Sequence, residues 1–257
     1  LLERLPELFS MFEIEERVAG ERSPYTSVFL QECERMNILL FEMRRSLVEL
    51  DMGLKGDLSM SDSMEALSDA LYAGAGPASW AALAWPSLRP LGAWLADFLE
   101  RYRQLEAWAA DLQTPRVTWL SGLFNPQAFL TAVMQITARR SELPLDKLAI
   151  VAEVTKRERH EVDATSRDGA FIHGLFLEGA RWDLNAGTLD DAQPKALHPR
   201  LPVMLIRAVP ADKAAGKDIY HCPVYTTPDR GPTPAARAAL ARLPWVARVR
   251  LAREVNP

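Results

Sequence analysis

Cysteine is scarce in this sequence: Cys33 and Cys222 are the only two in 257 residues. Two thiols cannot build the disulfide framework of a small secreted domain, and without a CxxC pair there is no signature of structural zinc. A reducing, cytosolic setting fits this usage. Histidine is nearly as sparse, at four residues, which leaves little material for metal ligation or proton transfer. No apolar run approaches the ~20 residues that a membrane helix needs, and the N-terminus lacks the basic, apolar, small order of a signal peptide. An excess of positive charge is missing too. The formal net charge of -4 and a pI near 5.7 give no reason to expect nucleic-acid binding, which shows as a basic domain or stripe. One local exception lies at residues 229 to 257, where six Arg stand against Asp229 and Glu254, an excess of four positive charges. The sequence opens on Leu1-Leu2 rather than Met and is expected to be a piece of something longer.

The pieces of an active site are also wanting. Nucleotide hydrolysis needs a glycine-rich loop whose amides wrap phosphates and a Lys that reaches them, in the pattern GxxxxGK(S/T). The one Gly-Lys pair, Gly216-Lys217, is followed by Asp218 and has Ala211 where the first glycine belongs. Ser121 in WLSGLF lacks the glycine two positions before it that a nucleophile elbow requires; with Gly122 it reads as a turn between the Trp119 segment and a helix cap at Asn125. His221 and Cys222 are adjacent in an expected strand and point to opposite faces, as do His173 and Glu178, five apart in another. The expectation is therefore no catalytic, cofactor-binding or metal-ligating residue, no cofactor, and no enzyme activity of this polypeptide by itself.

What is present is core-building material, 48% hydrophobic, in two periodicities. After Ser23-Pro24 the residues Val28, Met36, Leu39, Leu40, Met43, Leu47 and Leu50 recur at helical spacing until Gly53 and Gly56. Asp62 to Glu65 makes a capping-box pattern for a helix through Met64, Leu67 and Leu71, stopped at Gly74 to Pro77. Leu88, Leu91, Leu95, Phe98, Tyr102, Leu105, Ala109 and Leu112 then step by three and four along a single seam, flanked by Trp94 and Trp108. These tryptophans, with Trp80, Trp85 and Trp119, read as packing anchors rather than as a base-stacking platform. Asn125-Pro126 opens a helix carrying Phe129, Leu130, Val133, Met134 and Ile136 towards Pro144.

From Leu148 the period shifts towards two, with strands expected at 148–154, 170–177, 202–209, 219–226 and 245–251. In the second of these Phe171, His173, Leu175 and Leu177 share one face, and Ile172, Gly174, Phe176 and Glu178 the other. Gly179 and the Arg181-Trp182-Asp183 group then shape the exit turn, with Arg181 pairing a nearby acid. The fold class is α+β: a helical part over 1–145, then a small antiparallel β-barrel-like part over 146–257, closed to hide its edges.

Three ordered segments carry a resemblance. PSLRPLGAWLADFLERYRQLEAW with WLSGLFNPQAFLTAVMQ, then GAFIHGLFLEGARWD, then YHCPVY resemble the C-terminal region of dynein heavy chains. Upstream, YTSVFLQECERMNILLFEMRRSLVELDMGLKGDL and the PLDKL at 144–148 are most similar to the β-type heavy chain of outer-arm axonemal dynein. The resemblance implies a helical part continuous with the end of an AAA+ ring and a small β-barrel, the whole bracing that ring as a structural and regulatory domain in ciliary and flagellar movement. It places ATP hydrolysis and microtubule contact outside these residues. It implies as partners the AAA+ ring modules of the same heavy chain, with other dynein subunits or axonemal neighbours in the alternative reading of a docking module. Neither nucleic acid nor membrane is implied, and the location is the cytoplasm of a cilium or flagellum, in the axoneme. After Arg230-Gly231-Pro232-Thr233 the sequence departs from the family, with PAARAALARLP before Trp245; residues 245–251 stand as a replacement closing strand beside the alternatives of a helix or an irregular tail.

Overall fold

The structure is a computed structural model that describes residues 1–18, 20, 22–175, 180–183, 185–191, 193, 195–196, 201–214, 219–220 and 249–251. By compactness the chain divides into two units, Leu1–Arg22 with Phe29–Leu112, and Ser23–Val28 with Gln113–Pro257.

The first unit is helical, with α1 (Met11–Val18), α2 (Pro24–Lys55) from Phe29 onward, α3 (Asp62–Tyr72), α4 (Ala78–Leu83) and α5 (Leu91–Asp111). At the start of α2 the Thr26 amide donates to Ser23 Oγ at 3.1 Å, and Pro24 takes the position where a missing N–H costs nothing. Val28, Met36, Leu39, Leu40, Met43, Leu47 and Leu50 are all buried, joined by Phe29, Leu30 and Cys33. The helix runs through Gly53 rather than ending there, and a Cβ at this position would stand 2.7 Å from the Met60 sulfur. The stop comes at Gly56, with φ +83. The cap of α3 is Ser61, not Asp62: its hydroxyl accepts from the Met64 amide at 3.4 Å. The short α4, which the sequence pattern did not announce, buries Trp80. Arg17 of α1 donates to the carbonyls of Ala109 and Ala110 at 2.8 and 2.7 Å, satisfying acceptors that the end of α5 leaves open.

The seam of α5 differs in part from its expected membership. Leu91, Phe98, Tyr102 and Leu105 are buried, but Leu95 is only half-buried and Leu88, 94% exposed, precedes the helix. Trp94 and Trp108, expected to flank the seam, lie within it, as do Asp97 and Arg101. The helix therefore buries a face rotated towards its tryptophans, since indoles remove more apolar area from water than a leucine does.

Among the described residues the second unit holds α6 (Pro126–Ser141) and eight strands: β1 (Val117–Trp119), β2 (Leu148–Val154), β3 (Ala170–His173), β4 (Ala180–Asp183), β5 (Thr188–Asp191), β6 (Met204–Pro210), β7 (Ile219–Tyr220) and β8 (Val249–Leu251). Six form one sheet in the order β1-β3-β6-β2-β8-β7, and β4-β5 form a separate hairpin. Two expectations are corrected. The sheet is mixed rather than antiparallel, because β1 pairs β3 and β2 pairs β8 in parallel. Among the described residues it is also open rather than barrel-like, with β1 and β7 at opposite ends of the order. The backbone passes through α6 and β2 between β1 and β3, and such a long crossover permits the parallel pairing that a tight turn forbids.

Strand β3 ends at His173, short of the expected 177, and the Arg181-Trp182-Asp183 group is a strand of the hairpin instead of an exit turn. Expected strand residues 176–177, 221–226 and 245–248 lie outside the described residues; the described part of the last segment, Val249–Leu251, is a strand. Helix α6 lies against β2 and β6; its Phe129, Leu130 and Val133 are buried, as are Ile150 and Ala152 of β2 and Ile206 of β6.

Truncating Phe98, which is fully buried, to Ala is expected to cost about 2–5 kcal/mol of stability, while Leu95→Ala costs distinctly less. Urea-unfolding midpoints of the two variants test the rotated face; a larger loss at Leu95 would restore the seam as the sequence drew it.

Candidate functional site

Of the residues that the sequence offered for chemistry, only some are among those the structure describes. Ser121 and Gly122 form a 3-10 turn over Leu120–Gly122, as the spacing requires. Glu178, Gly216, Lys217, Asp218, His221 and Cys222 lie outside the described residues, whereas His173 ends β3 and Asp183 ends β4. Among the described residues no group of three His, Cys, Asp or Glu side chains is placed to hold a metal ion, and no helix is long and apolar enough to cross a membrane. Arg181 does pair its acids, with Asp190 at 2.8 Å and Asp183 at 3.6 Å. The amides of Ala186 and Asn185, donating to the Asp183 carboxylate, hold that group below its ordinary pKa. These contacts build the turn of the β4-β5 hairpin.

The residues of the dynein-like segments converge instead on two packed constellations. The first belongs to the helical unit. Trp85 stacks on Trp94 at 5.2 Å and Trp94 on Phe98 at 6.0 Å, with Trp80 6.1 Å from Trp94. The Trp80 indole N–H donates to Ser46 Oγ at 3.0 Å. Over Trp85, 4.0 Å from the ring centre, lies the guanidinium carbon of Arg101, a residue only 5% exposed. Burial pulls its pKa down to about 10, opposed by the charge of Asp97, 3.5 Å away, and by Glu32. Arg89 reaches the same Asp97 from the surface at 3.6 Å. A buried cation is tolerable only where carboxylates and an aromatic face replace its water. The sequence did carry a signal for this cluster, since Asp97 and Arg101 are four apart on the face of Trp94 and Phe98.

The second constellation joins β1, α6 and β3. A Cβ on Gly122 would stand 2.3 Å from Trp119 Cε3, and one on Gly174 would stand 2.3 Å from Trp119 Cδ1. The indole is thus held by two glycines, neither of which has room for a methyl group. Gly174 also has φ +76, a conformation that glycine adopts without penalty. Ser121 Oγ donates to the Gly174 carbonyl at 2.9 Å, and Trp119 is in register with His173. Three residues on from the turn, Asn125 Oδ1 accepts from the Ala128 amide at 3.2 Å and starts α6, whose Phe129 stacks on Tyr25 at 5.2 Å. WLSGLFNP and IHG therefore form one junction.

Burial also decides the chemistry of two ionisable groups. It pushes the Cys33 thiol up to about 12, with Glu32 and Glu34 adding to the effect, and it raises Tyr25 to about 12 against the opposing charge of Arg140. Thiolate is the reactive form of cysteine, so Cys33 is a packing residue here.

Comparison with known proteins identifies a family for the sequence. The family model for the C-terminal domain of the dynein heavy chain matches residues 1–255. The dynein beta chain of the flagellar outer arm from Chlamydomonas reinhardtii is 56% identical over 232 residues, 90% of this sequence and 5% of that protein. The ciliary dynein beta chain of Heliocidaris crassispina is 52% identical over 233 residues, 91% of this sequence and 5% of that protein. Dynein axonemal heavy chain 17 of Homo sapiens gives the same 52% identity, 91% and 5%. The polypeptide spans about 5% of the length of these curated relatives.

Two measurements check the constellations. Gly122→Ala is expected to destabilise the protein by about 1–3 kcal/mol. Pairing it with Trp119→Ala should cost less than the sum of the single changes, because the ring that the new methyl meets is gone; strict additivity would dissolve the clasp. The second concerns pH. Unfolding frees the Cys33 thiol to ionise from its ordinary 9.0, whereas the folded protein holds the proton to about 12. This contribution is complete below pH 9 and is lost as pH rises to about 12. Cys33→Val should flatten the decline of the urea midpoint across that interval, and identical declines would remove Cys33 as its cause.

Proposed function

The protein belongs to the family of C-terminal domains of dynein heavy chains, and from that premise we propose that it is the structural and regulatory C-terminal domain of an axonemal dynein heavy chain of the outer-arm β type. In this reading it braces an AAA+ ring in ciliary or flagellar movement, and its partners are ring modules of the same heavy chain. Residues 1–145 form the helical part continuous with the ring and 146–257 the β part. Nucleotide sites and microtubule contact lie in other parts of the polypeptide, and the domain uses no cofactor and performs no catalysis.

The observation that carries this reading is the Trp119 clasp. Residues that mark the resemblance are spent on fixing β1, β3 and α6 to one another, at distances that leave no space for added atoms. A body so tied resists deformation, as a brace between moving modules must. Such a domain acts on a motor through binding free energy that differs between conformational states. A coupling of about 1–3 kcal/mol shifts a state equilibrium by roughly 5–150-fold, enough to change stepping or force.

The test is the parent heavy chain truncated just before Leu1, assayed for ATPase rate, velocity and processivity. Retained hydrolysis with altered mechanical output is expected. Unchanged motility with failed axonemal assembly would assign the domain to docking instead, and loss of nucleotide binding by a folded ring would overturn the division of labour.

A further inference from the structure

Helix α2 buries one face and leaves a second apolar stripe uncovered. Ile38, Phe41, Val48 and Met52 are 55%, 61%, 45% and 37% exposed, on the side away from Met36, Leu39, Leu40, Met43, Leu47 and Leu50. With Arg45 between them they step by three, four, three and four, the alternation by which one helix receives another. Single exposed leucines are ordinary, but an aligned set along about 20 Å of helix marks an interaction site. Arg45 does not spoil the stripe. Its guanidinium is drawn to Glu42 and Glu49, 2.8 and 2.7 Å away, so its charge is answered within α2 and is not left facing an apolar partner.

What covers the stripe is indicated by the backbone beside it. Residues 5–9 run antiparallel along one flank of α2. Arg44 donates to the carbonyls of Leu5 and Pro6 at 3.1 and 2.8 Å. The Phe9 amide donates to Asn37 Oδ1, and Asn37 Nδ2 donates to the Phe9 carbonyl, both at 2.8 Å. Asn37 and Arg44 each precede a stripe position by one residue, so residues 5–9 lie along the stripe's edge. The relatives are about twenty times longer, since this protein spans 5% of their length. One helix line of four side chains buries far less than the ~800 Å² per partner of a stable independent interface. A free second copy is therefore a poor occupant, whereas a tethered neighbour benefits from a high effective concentration.

We propose that Ile38, Phe41, Val48 and Met52 form the docking face for an amphipathic helix of the heavy-chain module that precedes this domain in the same polypeptide. The inference rests on reading the protein as part of a motor heavy chain, and it names the surface through which the domain meets its neighbour.

The experiment uses the parent heavy chain with Phe41→Cys or Val48→Cys, and with Tyr72→Cys, at a position 96% exposed, as the open reference. Maleimide labelling of each introduced cysteine is followed by peptide mass spectrometry, on preparations in which the fully buried Cys33 stays unlabelled. Both stripe cysteines should react about tenfold more slowly than the reference, a protection of about 1.4 kcal/mol. Adding Phe41→Glu to Val48→Cys should return its rate towards the reference. Rates equal to that of Tyr72→Cys would overturn the proposal. So would protection that Phe41→Glu leaves intact, or protection that vanishes on dilution, which would assign the face to a second copy. These rates do not depend on motility, so the docking face and the regulatory reading fail separately.

Discussion

The Trp119 indole has no clearance on the sides that Gly122 and Gly174 close, and the arrangement of the second unit follows from that tight fit. With the ring held, β1 is set in register with β3, Trp119 opposite His173. The turn that follows carries the backbone to Asn125, which starts α6, and α6 then covers β2 and β6. A wider residue at either glycine would move the turn or the strand, and with it the helix that closes the core. A large side chain locks several elements at once because interiors are packed like solids and transmit displacement. The glycines stand at their positions for the space they leave free.

The helical unit meets a different constraint. Its most buried cation, Arg101, is held by Asp97, Glu32 and the face of Trp85. An apolar residue of similar volume could be as stable there. The charged group demands what leucine does not: carboxylates on α2 and α5 and an indole at fixed positions around it. Packing by area alone would let α5 rotate by a fraction of a turn, as the half-buried Leu95 illustrates. The guanidinium permits one rotation.

Much of this could be read from residues in order, and the failures have physical causes. Long amphipathic helices announce themselves, so α2, α5 and α6 were legible, as were β2 and most of β6, with their runs of β-branched residues. The three-residue β1 carries no period, and its parallel partner lies beyond a helix and a strand, so neither the element nor the pairing direction could be inferred locally. The hairpin was missed although Asn185, Ala186 and Gly187 offered a turn signal, because Gly179 and the Arg181-Trp182-Asp183 group read as an exit turn. Glycine identity at 122 and 174 says that a side chain is unwelcome, but only the fold reveals what excludes it. The Asp97–Arg101 spacing was visible, while Glu32 and Trp85 reach Arg101 only through tertiary structure.

The place of β8 in the sheet has a consequence for how the protein is made. Residues 249–251 lie between β2 and β7 and pair with both, yet residues 155–248 separate them from β2 along the sequence. A ribosome delivers the helical unit's last segment, ending at Leu112, long before it delivers β8. The helices can pack while the sheet still lacks an interior strand, and β2 waits with one edge unpaired. Loop-closure entropy slows such distant pairings, and an exposed edge invites pairing with other polypeptides. Synthesis thus imposes an interval in which the nascent β unit needs shielding, whose length is set by the speed of elongation rather than by the stability of the finished domain.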